Sequence, residues 1–121
     1  MKHIFIVAAL ALSMNSHAAT QDLDQLLSTI EADIKAQRLA KPAGNNALER
    51  IDTFRSLAPF DFRITPLIFK FGESYVSLAN KAMDNKQYSQ AQSYLDTAWK
   101  VAALTPGLEA AQEKNDKLSK G

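Results

Sequence analysis

Acid–base and nucleophilic chemistry has little to work with in this 121-residue chain. Its two histidines, His3 and His17, both lie near the start, and it has no cysteine. A Ser-His-Asp or Cys-His site needs an imidazole beside its nucleophile, and a zinc site needs imidazole or thiolate ligands. The 13 carboxylates remain. A pair of carboxylates can serve as acid and base in glycoside hydrolysis when a fold brings them together. Asp61 and Glu73 are the pair that could meet at one turn. The four glycines are isolated, so no glycine-rich phosphate loop is present. The expectation is a non-enzyme with no catalytic residue, no bound metal and no cofactor.

Contact chemistry is better represented. Phe60, Phe62, Phe69 and Phe71 fall within twelve positions, and Arg50, Arg55, Arg63 and Lys70 surround them, interleaved with Asp52 and Asp61. On a helical wheel Phe69 lies roughly 200° from Phe71, near the opposite side. Burial in a core is the first expectation for these rings. The sharper one is a hydrophobic groove or self-association face built by Phe60, Phe62 and Phe69. For the cations, a solvated, salt-bridged surface is the default, and contact with an anionic peptide or glycan is the alternative. Tyr75, Tyr88, Tyr94 and Trp99 have core spacing, and Tyr94 is the one expected to show its hydroxyl on a concave surface. The candidate partner-binding residues are therefore Phe60, Phe62, Arg63, Phe69, Lys70 and Tyr94. With 14 Lys+Arg against 13 Asp+Glu, nothing in the charge favours nucleic acid as a partner.

The start of the chain has the layout of a secretory signal peptide. A short basic opening, Met1-Lys2-His3, precedes the unbroken apolar run Ile4–Leu12, and Ser16-His17-Ala18 resembles a small-residue cleavage site. The run is well short of the ~20 apolar residues that span a membrane. Cleavage after Ala18 or Ala19 would leave a periplasmic or secreted chain with no integral membrane segment. That chain would have neither His nor Cys, and thirteen basic residues against thirteen acidic once Lys2 is lost. Residues 1–18 are thus read as signal peptide and 19–121 as a single domain. Stability without disulfides must come from packing, which about 100 residues can supply.

The elements that would position the candidate residues are helices. Leu23, Leu26, Leu27, Ile30 and Ile34 make an apolar stripe over 21–39. The breaker cluster Lys41-Pro42-Ala43-Gly44-Asn45 ends it. Asn46 with Glu49 forms a capping-box pair for a second helix to about Ala58, presenting Ala47, Leu48, Ile51, Phe54 and Leu57. Thr65-Pro66 reads as an N-cap with proline behind it. The third helix then runs to Met83 or Asp84, with Leu67, Phe71, Tyr75, Leu78, Ala79 and Ala82 inward. Gly72 inside it costs about 1 kcal/mol against alanine, which implies close packing or a weak point there. After a polar turn at 84–87, the fourth helix reaches about Leu104, with Tyr88, Ala91, Tyr94, Leu95, Ala98, Trp99 and Ala102 inward. Thr105-Pro106 repeats the cap signal before a polar fifth helix over about 106–118, whose Leu108 and Ala111 should meet the fourth.

The pattern Tyr75-x2-Leu78-Ala79-x2-Ala82, then Tyr88-x2-Ala91-x3-Leu95-x2-Ala98-Trp99, resembles one tetratricopeptide repeat. Ala82 stands where an aromatic is usual, and Lys86 replaces the usual turn glycine. Pro106 comes late, which implies a lengthened fourth helix. Ala47-x3-Ile51-x2-Phe54-x4-Pro59 looks like the second helix of a degenerate upstream repeat, and 38–50 is similar to a segment of bacterial repeat-containing envelope proteins. The resemblance spans about 38–110. It implies an all-α chain of about five helices in antiparallel hairpins, forming a short tetratricopeptide-like superhelix. It also implies an exported adaptor or interaction module that binds a peptide or partner protein, with a homodimer as one way to extend the stack. The alternative is a small inhibitor, immunity or structural protein acting through an exposed aromatic–basic patch.

Overall fold

The computed structural model describes residues 22–121, and the expected signal peptide and its cleavage site lie outside them. The described chain is all-α. Helix α1 occupies 22–35, α2 Ala47–Leu57, α3 Thr65–Asp84, α4 Tyr88–Val101 and α5 Leu108–Lys120, with one 3-10 turn at Phe62–Ile64. No strand occurs among the described residues. Helices α1 and α2, tied by Arg50–Asp33 and by the Ala47 and Leu48 amides, make one hairpin, and α3 and α4 a second. Helix α5 packs on both members of the second. This order is compatible with a helical repeat. Every helix contributes a fully buried apolar side chain to one core, including Ile30, Phe54, Phe71, Leu95 and Leu108.

Both hairpins turn by the same device. At the end of α1, the Gln37 amide donates to the Ile34 carbonyl and the Arg38 amide to that of Asp33. At the end of α3, Lys86 donates to Met83 and Gln87 to Ala82. Each is a Schellman pair, which satisfies carbonyls that the helix leaves free. Its pivot residue must be left-handed, and Gln37 and Lys86 both have φ +60°. Lysine therefore holds the conformation that glycine adopts without strain.

The capping box at α2 forms in a modified way. The Asn46 side chain accepts from the Glu49 amide at 2.9 Å. The Glu49 carboxylate reaches past the cap and accepts from the Gly44 amide at 3.0 Å and the Asn46 side-chain amide at 2.6 Å. These contacts, the Gly44 amide foremost, hold the Glu49 carboxyl below its ordinary range. The Ala47 and Leu48 amides donate to the Arg38 and Leu39 carbonyls, which fastens the start of α2 to the end of α1.

The two threonine caps do not form. Thr65 is already helical and its amide donates to Phe62, because the 3-10 turn runs straight into α3; Ile64 occupies the cap position without a side-chain bond. At the other site the cap is Gly107, with φ +86°. Helix α4 ends at Val101, so it is not lengthened, and the Thr105 side chain turns inward over Gly72. A Cβ on Gly72 would sit 1.9 Å from Thr105 Oγ1 and 3.0 Å from Ala102 Cβ. Close packing is thus the reason for this glycine. The Thr105 hydroxyl donates to the Ala102 carbonyl at 2.6 Å.

Candidate functional site

The aromatic cluster separates into different environments. Phe71 is fully buried against Tyr75, with ring centroids 5.0 Å apart. Phe69 is half-buried and lines a crevice with Ile68, Val101 and Leu104. Phe60 and Phe62 stand in water, 85% and 73% exposed, and with Arg63 they line a shallow, open surface beside Ala58. Core burial is therefore the wrong expectation for these two. The turn Asp61-Phe62-Arg63-Ile64 is short, and it spends its single inward position on Ile64. Leu57 and Trp99 also lie outside the core they were expected to join, at 64% and 39% exposed.

The basic stretch is bonded to partners both near and distant in sequence. Arg63 donates to Asp61 at 2.7 Å and to Asp24 on α1 at 2.6 Å. Hydrogen bonding from Arg63 holds the Asp61 carboxyl below its usual range, and the same contacts raise Arg63 further. Lys70 faces Glu31 at 3.7 Å in a separate depression with Leu27 and Leu67. Arg55 donates to the Val101 carbonyl at 3.1 Å, near the negative end of the α4 dipole. Arg50 binds Asp33, a fully buried carboxylate on α1 that also accepts from Arg38 Nε and Nη2 at 3.0 and 2.8 Å. Arg63 and Lys70 are thus structural ion-pair members.

Tyr94 lies apart from the phenylalanines, on a groove between the α1–α2 turn and the α3–α4 hairpin. This groove encloses about 430 Å³. Leu39, Tyr75, Leu78 and Tyr94 supply its apolar wall, and Lys41, Gln90 and Ser93 line its polar side. The Tyr75 and Tyr94 rings are tilted with centroids 6.0 Å apart, and burial pushes the Tyr75 hydroxyl up in pKa. The mixture suits an extended segment with alternating polar and apolar side chains. Asp61 and Glu73, the conceivable acid–base pair, line different depressions.

Two contacts were not anticipated from sequence. Asp33 falls three residues after Ile30, at the margin of the apolar stripe, and that placement is the signal that it points inward. On α4 and α5, Gln92 and Gln112 exchange amide hydrogen bonds at 3.1 and 2.7 Å, and Trp99 Nε1 donates to Gln112 at 3.0 Å. The Trp99 indole is thus bonded into a polar seam between two helices. Among the described residues no three Asp, Glu, His or Cys side chains converge as a metal site would require, and no helix is long and apolar enough to cross a membrane. No family model, curated protein or solved structure matches the chain.

Proposed function

We propose that this chain is an exported, non-enzymatic protein–protein interaction module of tetratricopeptide-like build, which holds a peptide or a partner's extended segment in the groove at Tyr94. The observation that carries this reading is the groove itself, an open cleft of about 430 Å³ between two hairpins, walled by tyrosines and leucines and edged by amides and hydroxyls. The matching Schellman turns at Gln37 and Lys86 support a repeat origin for the two hairpins. The apolar run Ile4–Leu12 and the small residues at Ser16-His17-Ala18 support export to the periplasm.

The test has two parts. N-terminal sequencing of the exported protein should begin at Ala19 or Thr20. Affinity capture from the cell's own envelope extract should recover a partner that is lost on Tyr94→Ala and kept on Phe60→Ser. Turnover of a cell-wall fragment with no partner recovered refutes the adaptor reading. A second reading, an inhibitor, immunity or structural protein acting through the connector, is favoured by the exposure of Phe60 and Phe62. It predicts the opposite dependence, with capture lost on Phe62→Ser and kept on Tyr94→Ala.

A further inference from the structure

One hydroxyl in the Tyr94 groove has no use inside the chain. Tyr75 is 6% exposed, and its hydroxyl makes no hydrogen bond among the described residues. A tyrosine this deeply placed ordinarily finds a partner for its O–H. The one fully enclosed polar side-chain atom without a partner among the described residues is Asn115 Oδ1, so the Tyr75 hydroxyl is not sealed in. It opens on the groove that Tyr75 lines. Burial holds this phenol in its protonated, donating form. Tyr94, whose ring centroid lies 6.0 Å away, lines the same groove and leaves its hydroxyl equally unbonded.

Charge points the same way. Lys41 is the only charged residue that lines the groove, and no carboxylate pairs with it among the described residues. The charges around it are spent or elsewhere. Arg38 is bonded to Asp33, and Glu49 to the Gly44 and Asn46 amides. Glu73 and Lys81 lie near a different depression. On α4, Asp96 and Lys100 lie outside the lining and oppose each other in sign. An ammonium donates only, and a carboxylate accepts only. We propose that the groove takes an extended segment side-on, seating an apolar side chain against Leu39, Leu78 and Tyr94 while a nearby Asp or Glu side chain of that segment accepts from the Tyr75 hydroxyl and the Lys41 ammonium. This rests on the groove reading above and names the partner's chemistry. A glycan fits less well, because two of the walls are leucines and the buried Tyr75 ring offers its hydroxyl rather than a face.

The probe is a library of random peptides displayed on phage as internal segments, so that no free carboxyl end is presented. It is selected on protein purified from cells expressing the full chain and counter-selected on Tyr94→Ala. Peptides that bind the parent alone should carry Asp or Glu close in sequence to an apolar residue. Labelled copies, followed by fluorescence anisotropy, should bind about tenfold more weakly to Tyr75→Phe and to Lys41→Ala. Tyr75→Phe should leave the thermal midpoint unchanged, because the hydroxyl it removes bonds nothing in the described chain. Replacing the peptide's acid by its amide should cost a similar factor on the parent and much less on the Tyr75→Phe, Lys41→Ala double variant, which identifies those two groups as its partners. Tyr94-dependent peptides with no acidic bias, or indifferent to Tyr75→Phe and Lys41→Ala, overturn this inference and leave the groove reading standing. Failure to select any Tyr94-dependent peptide overturns both, as does a groove that binds only glycans on a parallel array.

Discussion

Replacing Gly72 by alanine should destabilise this protein, although alanine is the better helix former. In an exposed helix the change gains about 1 kcal/mol. Here the new methyl carbon would lie 1.9 Å from Thr105 Oγ1, 2.8 Å from Thr105 Cβ and 3.0 Å from Ala102 Cβ. Neither neighbour is the loose end of a long side chain. Thr105 is pinned by its own bond to the Ala102 carbonyl and by Leu108, whose amide donates to its carbonyl at 3.2 Å. Relief means moving the loop between α4 and α5. Overpacking of this kind costs about 1–3 kcal/mol, and loss of the buried hydroxyl bond adds about 1–3 kcal/mol. Set against the propensity gain, the net loss is about 1–5 kcal/mol, centred near 3. For a domain of this size the central value lowers Tm by about 12–24 °C. Urea denaturation of Gly72→Ala measures the loss directly. In the Thr105→Gly background the same substitution should cost less by at least about 1 kcal/mol, read as a coupling energy from the double-mutant cycle. A Gly72→Ala protein as stable as the parent would refute the close-packing argument.

Other substitutions probe the remaining devices. Asp33→Ala strands the guanidinium groups of Arg38 and Arg50 and should cost about 3 kcal/mol in the same denaturation assay. Lys86→Gly relieves a left-handed lysine while keeping both Schellman bonds, so it should raise stability by about 0.5–1 kcal/mol. Acid should weaken the fold in a defined window. The Glu49 and Asp61 carboxyls are held below their ordinary values of 4.5 and 3.8. Their contribution is therefore complete above those values and is lost as pH falls through the lower folded-state values. Urea midpoints from neutral pH downward should fall in that range, and Glu49→Gln should flatten the decline.

The helices, their order and the capping pair at Asn46 and Glu49 were legible because they depend on local periodicity and on side chains three residues apart. Gly72 was legible as an anomaly, and the structure supplies its cause. The threonine caps were misread because Thr-Pro looks the same whether the hydroxyl faces the helix or the core. Thr105 has a hole to fill at Gly72, and Thr65 continues a preceding turn. Leu57 and Trp99 lie on proper apolar stripes but stand 64% and 39% exposed, and the Trp99 indole is drawn to the Gln112 side chain. The cations fit the salt-bridged surface expected of them by default, but the identity of their long-range partners was not legible. Asp24 for Arg63 and Glu31 for Lys70 each lie 39 residues away, and pairing at that distance leaves no trace in spacing. Tyr94 lines the groove between the hairpins. Phe69 was not joined to Phe60 and Phe62, because the turn between them redirects the chain.

The distribution of polar contacts has a consequence for how the molecule opens. Asp33 with its two arginines locks α1 to α2, while Thr105 over Gly72 and the reciprocal pair Gln92–Gln112 lock α3, α4 and α5. Between these two halves only Arg55–Val101, Arg63–Asp24 and Lys70–Glu31 cross among the described side chains. The junction is otherwise apolar and non-directional. The chain is thus built as two internally fastened leaves on a greasy hinge line, and the Tyr94 groove lies along that line. Amide protons within each leaf should exchange with solvent together, and the first sub-global opening to precede full unfolding is the parting of one leaf from the other.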